Sequence, residues 1–123
     1  MKKYIVYLLL FIGLAFFSCK KNNVGGNAEI KGVVKHHAKI IGGATIYIKF
    51  NAKEFPGTDV SVYDATVNAD VNGNYSIKCY KGDYYLYGVG QDLDVPPPSI
   101  VKGGVPVHIR NKEVVEIELP VTE

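Results

Sequence analysis

A sandwich of two packed antiparallel β-sheets is predicted by three observations. Apolar residues recur at every second position in seven short runs, clusters of Asn, Gly and Pro separate those runs, and helical spacing is absent after the first eighteen residues. Ile30, Gly32 and Val34 share one face of the first strand, and Gly42-Gly43 closes the loop behind it. Ile46, Ile48 and Phe50 then alternate with Thr45, Tyr47 and Lys49 in the second. Residues 51–59, with Pro56-Gly57, lack alternation and form a long loop. Tyr63, Ala65, Val67 and Ala69 define the third strand, Tyr75, Ile77 and Cys79 the fourth, and Tyr84, Leu86 and Gly88 the fifth. Asn72-Gly73 and Lys81-Gly82-Asp83 punctuate these three, which predicts a meander of consecutive antiparallel strands. Pro96-Pro97-Pro98 cannot continue a central strand, because proline offers no amide hydrogen, so the chain is expected to cross to another edge there. Val105, Val107 and Ile109 make the sixth strand, which Pro106 places at an edge or with its amide position facing away from a neighbour, and Val115, Ile117 and Leu119 make the seventh after the Asn111-Lys112 turn.

The amino-terminal stretch is of a different kind. Lys2 and Lys3 precede an apolar run from Tyr4 to Phe17, too short to span a bilayer comfortably, and this reads as a secretory leader. Phe16-Phe17-Ser18-Cys19 resembles a bacterial lipoprotein lipobox, although Phe16 stands where an aliphatic residue is usual. That resemblance implies cleavage before Cys19 and lipid attachment to it. Three segments follow: a leader over residues 1–18, a lipidated cysteine and flexible tether over 19–27, and a single domain over 28–123. The implied location is the bacterial cell envelope, anchored in the outer membrane and facing the periplasm, with the membrane itself as one partner.

Charge excludes one class of function. Two of the 14 lysines and arginines lie in the leader and none of the 12 acids does, so the remaining chain is formally neutral and has no electrostatic basis for binding nucleic acid. If lipid occupies Cys19, Cys79 is the one thiol left and no internal disulfide forms. Cys79 falls on the Tyr75 and Ile77 face, where it serves as a small buried apolar residue.

No catalytic constellation, cofactor motif or metal site is read from the chain. Asp70, Asn72 and Asn74 open like a calcium loop, but the glycine is fourth and the twelfth residue is Lys81, so a tight turn explains them. His36 and His37 are adjacent on a strand exit and point apart, which makes a poor ligand pair, and His108 is remote in sequence. Recognition is better placed on tyrosines. With Tyr84 and Leu86 facing inward, Tyr85 and Tyr87 face outward, and Tyr47 also lies on an outer face, where exposed rings would stack on a glycan or anchor a protein partner. The alternative is that such rings only stabilise neighbouring strands.

The segments Ile30-Lys31-Gly32-Val33-Val34, Gly42-Gly43-Ala44-Thr45-Ile46-Tyr47-Ile48, Asp70-Val71-Asn72-Gly73-Asn74-Tyr75 and Gly82-Asp83-Tyr84-Tyr85-Leu86 resemble the carboxypeptidase regulatory-like domain family. The resemblance spans residues 28 to about 90 and implies a transthyretin-like, seven-stranded sandwich. It also implies an accessory, non-enzymatic role, here as a small lipoprotein acting as an interaction or scaffolding module. A glycan-binding module is the alternative. A transthyretin-like hydrolase is the third reading, and the ending Leu119-Pro120-Val121-Thr122-Glu123 lacks the arginine-containing motif of those enzymes.

Overall fold

The structure, a computed structural model, describes residues 21–123. The leader and Cys19 lie outside the described residues. Nine strands form two facing sheets: β1 (Val24–His36), β2 (Lys39–Ile40), β3 (Thr45–Phe50), β4 (Ala65–Asn68), β5 (Asn74–Cys79), β6 (Gly82–Gln91), β7 (Ile100–Ile109), β8 (Val114–Glu116) and β9 (Leu119–Pro120). A single 3₁₀ turn, Val60–Val62, lies between β3 and β4. The predicted sandwich is observed, with two-residue β2 added and the last predicted strand divided into β8 and β9.

One sheet is built around β1. It pairs antiparallel with β5 and β2, and parallel with β8 and β9. The other sheet runs β4-β3-β6-β7, antiparallel throughout. Alternation places Ile30 and Val34 of β1, Tyr75, Ile77 and Cys79 of β5, Ile46 and Ile48 of β3, and Tyr84 and Leu86 of β6 in the common core, all nearly inaccessible. Each fully buried large side chain contributes about 1.5 to 3 kcal/mol. Leu119 and Val121 close the core from the carboxyl-terminal strap.

Three expectations are corrected. The three central strands are not a meander, because β4 pairs with β3 in one sheet and β5 with β1 in the other. The turn between them is as tight as predicted: Gly73 N donates to Asp70 O, Asp70 N to Asn74 O, and the Asp70 carboxylate accepts from Asn72 N and Asn74 N. Those bonds are complete within the turn, so they leave its two arms free to enter different sheets. Second, the proline segment does not send the chain to a distant edge. Gln91 faces Ile100 and Gly82 faces Ile109, so β7 returns alongside β6, and the prolines form the connection outside the sheet. Pro106 does sit on an edge strand, as its missing amide requires. Third, the tether is shorter than expected. Asn22 and Asn23 are already hydrogen-bonded to the domain, and β1 begins at Val24, with a register shift between Val24 and Ala28 where it runs against β5.

Candidate functional site

Two side-chain assemblies stand out, one on an outer sheet face and one at an end of the sandwich. The first begins with the alternation of β3 and β6. Since Ile46, Ile48, Tyr84 and Leu86 face the core, Tyr47, Tyr85 and Tyr87 must face outward, and Tyr47 lies directly opposite Tyr87. Their expected exposure is overturned. Tyr85 is 8% and Tyr87 3% accessible, and Tyr47 is half-buried, because residues 51–63 fold back over this face.

The loop is held in place at both ends and in its middle. Asn51 N donates to Asp83 O and Phe50 N to the Asp64 carboxylate, while the Tyr63 hydroxyl donates to Gly57 O at 2.8 Å. Asp59 caps the 3₁₀ turn by accepting from Ser61 N. Thus fixed, the loop lays Tyr63 on Tyr87 in a stacked arrangement at 5.6 Å between centroids and sets Phe55 5.8 Å from Tyr85 and 5.4 Å from Tyr87. The result is a small second core outside the sheet. Phe55 alone of these rings remains half exposed, at 50%.

Beside Phe55 a groove of about 340 Å³ opens along the edge of the sheet. Tyr85, Tyr87 and the Gly103-Gly104 pair of β7 form its floor, and Phe55 with Thr58 makes one wall. The glycines are required by close approach: a Cβ at Gly104 would meet the Tyr85 ring at 2.5 Å and Leu86 O at 2.6 Å. Lys102, Thr122 and Glu123 supply the polar rim. Burial raises the phenol pKa values of Tyr85 and Tyr87, the latter helped by Tyr47, and that of Tyr63 is pushed up to about 12 by burial and then by Tyr87 and Tyr85. All three hydroxyls are therefore neutral donors and acceptors at physiological pH. A larger depression of about 430 Å³ on the other sheet is lined by Lys31, Asp70, Ser76 and Glu116 and carries no exposed ring.

The second assembly joins residues far apart in sequence. Asp92 is 3% accessible, and its carboxylate accepts from Lys39 Nζ at 2.6 Å, His36 Nδ1 at 2.8 Å and Asp94 N at 3.0 Å. Lys39 first, and then His36, hold the Asp92 carboxyl well below the usual carboxylate range. Lys39 also reaches Asp94 at 2.7 Å. These contacts tie the β1–β2 turn to the β6–β7 connection and so link the two sheets. His108 pairs with Asp83 at the opposite end of the molecule, and His37 lies on the surface. Among the described residues, no three His, Cys, Asp or Glu side chains converge as a metal site. Cys79 is buried, and burial raises its pKa and keeps it a thiol.

No family model matches this chain, and no curated protein matches it. Among solved structures, a protein of Pseudomonas aeruginosa described as a "putative carbohydrate binding protein" is similar with a TM-score of 0.51. Identity is 10%, over 85% of this chain and 93% of the other. At that identity the likeness shows a shared β-sandwich fold.

Alternation gives the outward direction of Tyr47, Tyr85 and Tyr87 but not the cover over them. Phe55, inside the loop, and Tyr63, at its end and before β4 rather than in it, supply that cover. No sequence motif marks Lys102, Gly103 or Gly104.

Proposed function

We propose that this chain is a non-enzymatic recognition module, lipid-anchored in the bacterial cell envelope through Cys19, and that its ligand is a saccharide held in the groove beside Phe55. The observation that carries the reading is the half-exposed Phe55 ring standing over a fixed aromatic and glycine floor with a polar rim. Sugar rings present an apolar face of C–H groups and an equatorial belt of hydroxyls. An aromatic wall receives the first, while Lys102, Thr122 and Glu123 address the second. The volume lies near the lower end of the range for small-molecule sites, about 300 to 1,000 Å³, which suits a short terminal segment of a glycan. The carbohydrate-binding description of the Pseudomonas aeruginosa neighbour is consistent with this choice over a protein partner. The carboxypeptidase regulatory-like resemblance belongs to the same proposal, since an accessory role needs no catalytic group.

Phe55→Ala is expected to reduce retention on a glycan array about tenfold. Because the half-exposed Phe55 ring also packs on Tyr85 and Tyr87, the melting temperature should fall by only a few degrees, so that retention is compared on folded protein. Val71→Ala, at an 87% exposed position, should alter neither retention nor melting temperature. Failure of the intact protein to retain any saccharide would end this reading and leave an envelope protein as the partner. Cleaved glycan in the eluate, detected by mass, would overturn the non-enzymatic assignment.

A further inference from the structure

The chain enters the sandwich through a built clip. Asn22 N donates to Lys81 O at 2.9 Å, and Asn22 Oδ1 accepts from Asp83 N at 3.0 Å. Tyr80 N donates to Asn23 O at 2.8 Å, while the buried Tyr84 hydroxyl accepts from Asn23 N at 2.8 Å and donates to Tyr80 O at 2.6 Å. Gly82, at φ +148°, leaves room for the Asn22 side chain, which any Cβ there would strike. The chain is therefore fixed from Asn22 onward. Cys19 lies three residues before Asn22, and three residues of chain reach at most about 11 Å.

That entry point lies in a cluster of cations. Lys21, Lys81 and Arg110, with the His108 ring beside them, line a shallow groove of about 220 Å³, and Lys112 is exposed in the adjoining turn. Of the nearby acids, Asp83 is engaged by His108 at 2.9 Å, and Glu113 Oε1 accepts from Arg110 N at 3.1 Å. Among the described residues, no carboxylate pairs with the side chains of Lys21, Lys81 or Arg110. Lys21, Lys81 and Arg110, none of them in an ion pair among the described residues, thus surround the point from which the chain leads to Cys19.

We propose that this end of the sandwich docks on the phosphate headgroups of an anionic membrane, so that the β5–β6 and β7–β8 turns face the bilayer and the Phe55 groove opens to the side. The proposal rests on lipid attachment at Cys19. Each cation near an anionic surface strengthens association roughly fivefold, and the short leash keeps the surface within reach continuously.

The test labels the full, processed protein in vesicles with a membrane-impermeant amine reagent and reads each lysine by peptide mass spectrometry. On phosphatidylcholine containing about one quarter phosphatidylglycerol, Lys21 and Lys81 should react at least fivefold more slowly than on pure phosphatidylcholine, with Lys102 unchanged. Salt near 1 M, where the Debye length is about 3 Å, should abolish the difference. K81E/R110E, changing two exposed turn positions, should remove the protection of Lys21 while leaving the melting temperature alone. Equal labelling of Lys81 on both vesicles, in protein whose intact mass shows acylated Cys19, would overturn the orientation and spare the anchor. Protein without acyl mass that leaves the vesicles would overturn the anchor and this orientation together.

Discussion

Gly32→Ala is expected to lift the carboxyl-terminal strap off β1 and to lower stability by about 3 kcal/mol. The Ile117 carbonyl crosses Gly32 so closely that a Cβ would strike it, and the Tyr75 hydroxyl, which donates to that same oxygen at 2.6 Å, would lie 3.1 Å from the new methyl group. Neither neighbour can move cheaply. Ile117 N is bound to Lys31 O and Val121 N to Lys35 O, so relief requires the strap to detach. Leu119, at 0% accessibility, would leave the core with it, at a cost of about 1.5 to 3 kcal/mol, beside about 1 kcal/mol for the Tyr75 hydrogen bond. For a domain of this size the melting temperature should fall by more than about 10 °C. Gly43→Ala is the comparison. Gly43 has φ +72° with open space around it, so alanine there meets only left-handed backbone strain of about 1 to 2 kcal/mol. Equal melting temperatures for the two variants would refute the close-packing argument.

Asp92→Asn should destabilise the protein most at neutral pH and progressively less in acid. The folded Asp92 carboxyl titrates below its unfolded value, near 3.9, so the proton is bound more tightly by the unfolded chain. Its stabilising contribution is therefore fully present above about pH 4 and disappears as pH falls through the folded value. Lys39 works in the opposite direction. Hydrogen bonds to Asp92 and then Asp94 raise its pKa, so its share is present below about pH 10 and is lost as pH rises through the folded value. Urea unfolding at pH 7 and pH 3 measures the first effect directly. The midpoint difference between wild type and Asp92→Asn should shrink at the lower pH, and an unchanged difference would show that the ion cluster is not the cause.

Much of this fold was legible because alternation reports which way a side chain points. Ile46 and Ile48, Tyr75 and Ile77, and Tyr84 and Leu86 all face the core as their spacing requires. Alternation does not report which strand lies alongside. Asn72-Gly73 gives a tight turn whether its arms pair with each other or enter opposite sheets, so the distribution of β4 and β5 depended on distant partners, Ile46 for Val67 and Ile30 for Ile77. The site shows the same division. Tyr85 and Tyr87 point outward as expected, but their burial is decided by Phe55, a loop residue with no period to announce it, and by Tyr63, whose alternation with Ala65 and Val67 predicts a strand position although β4 begins only at Ala65. The contact between His36 and Asp92 spans 56 positions, and neither residue carries a local signature of the other. Asn22 and Asn23 belong to a polar, glycine-bearing stretch that has the composition of a linker, yet one pair of asparagine backbones met by Lys81 and Tyr84 is enough to fix it.

The division of β4 and β5 between sheets also governs how the molecule is made. The chain passes from one sheet to the other between β2 and β3, β4 and β5, β5 and β6, and β7 and β8, so neither sheet is a continuous piece of sequence. Strand β1, synthesised first, acquires its β5 neighbour only after residues 74–79 have emerged, and its β8 and β9 neighbours after residues 114–120. Such long-range pairing closes large loops before it is rewarded, which slows folding and makes it all-or-none. An unfinished chain has no half-domain to fall back on, and β1 stays open to other partners until the last strand arrives.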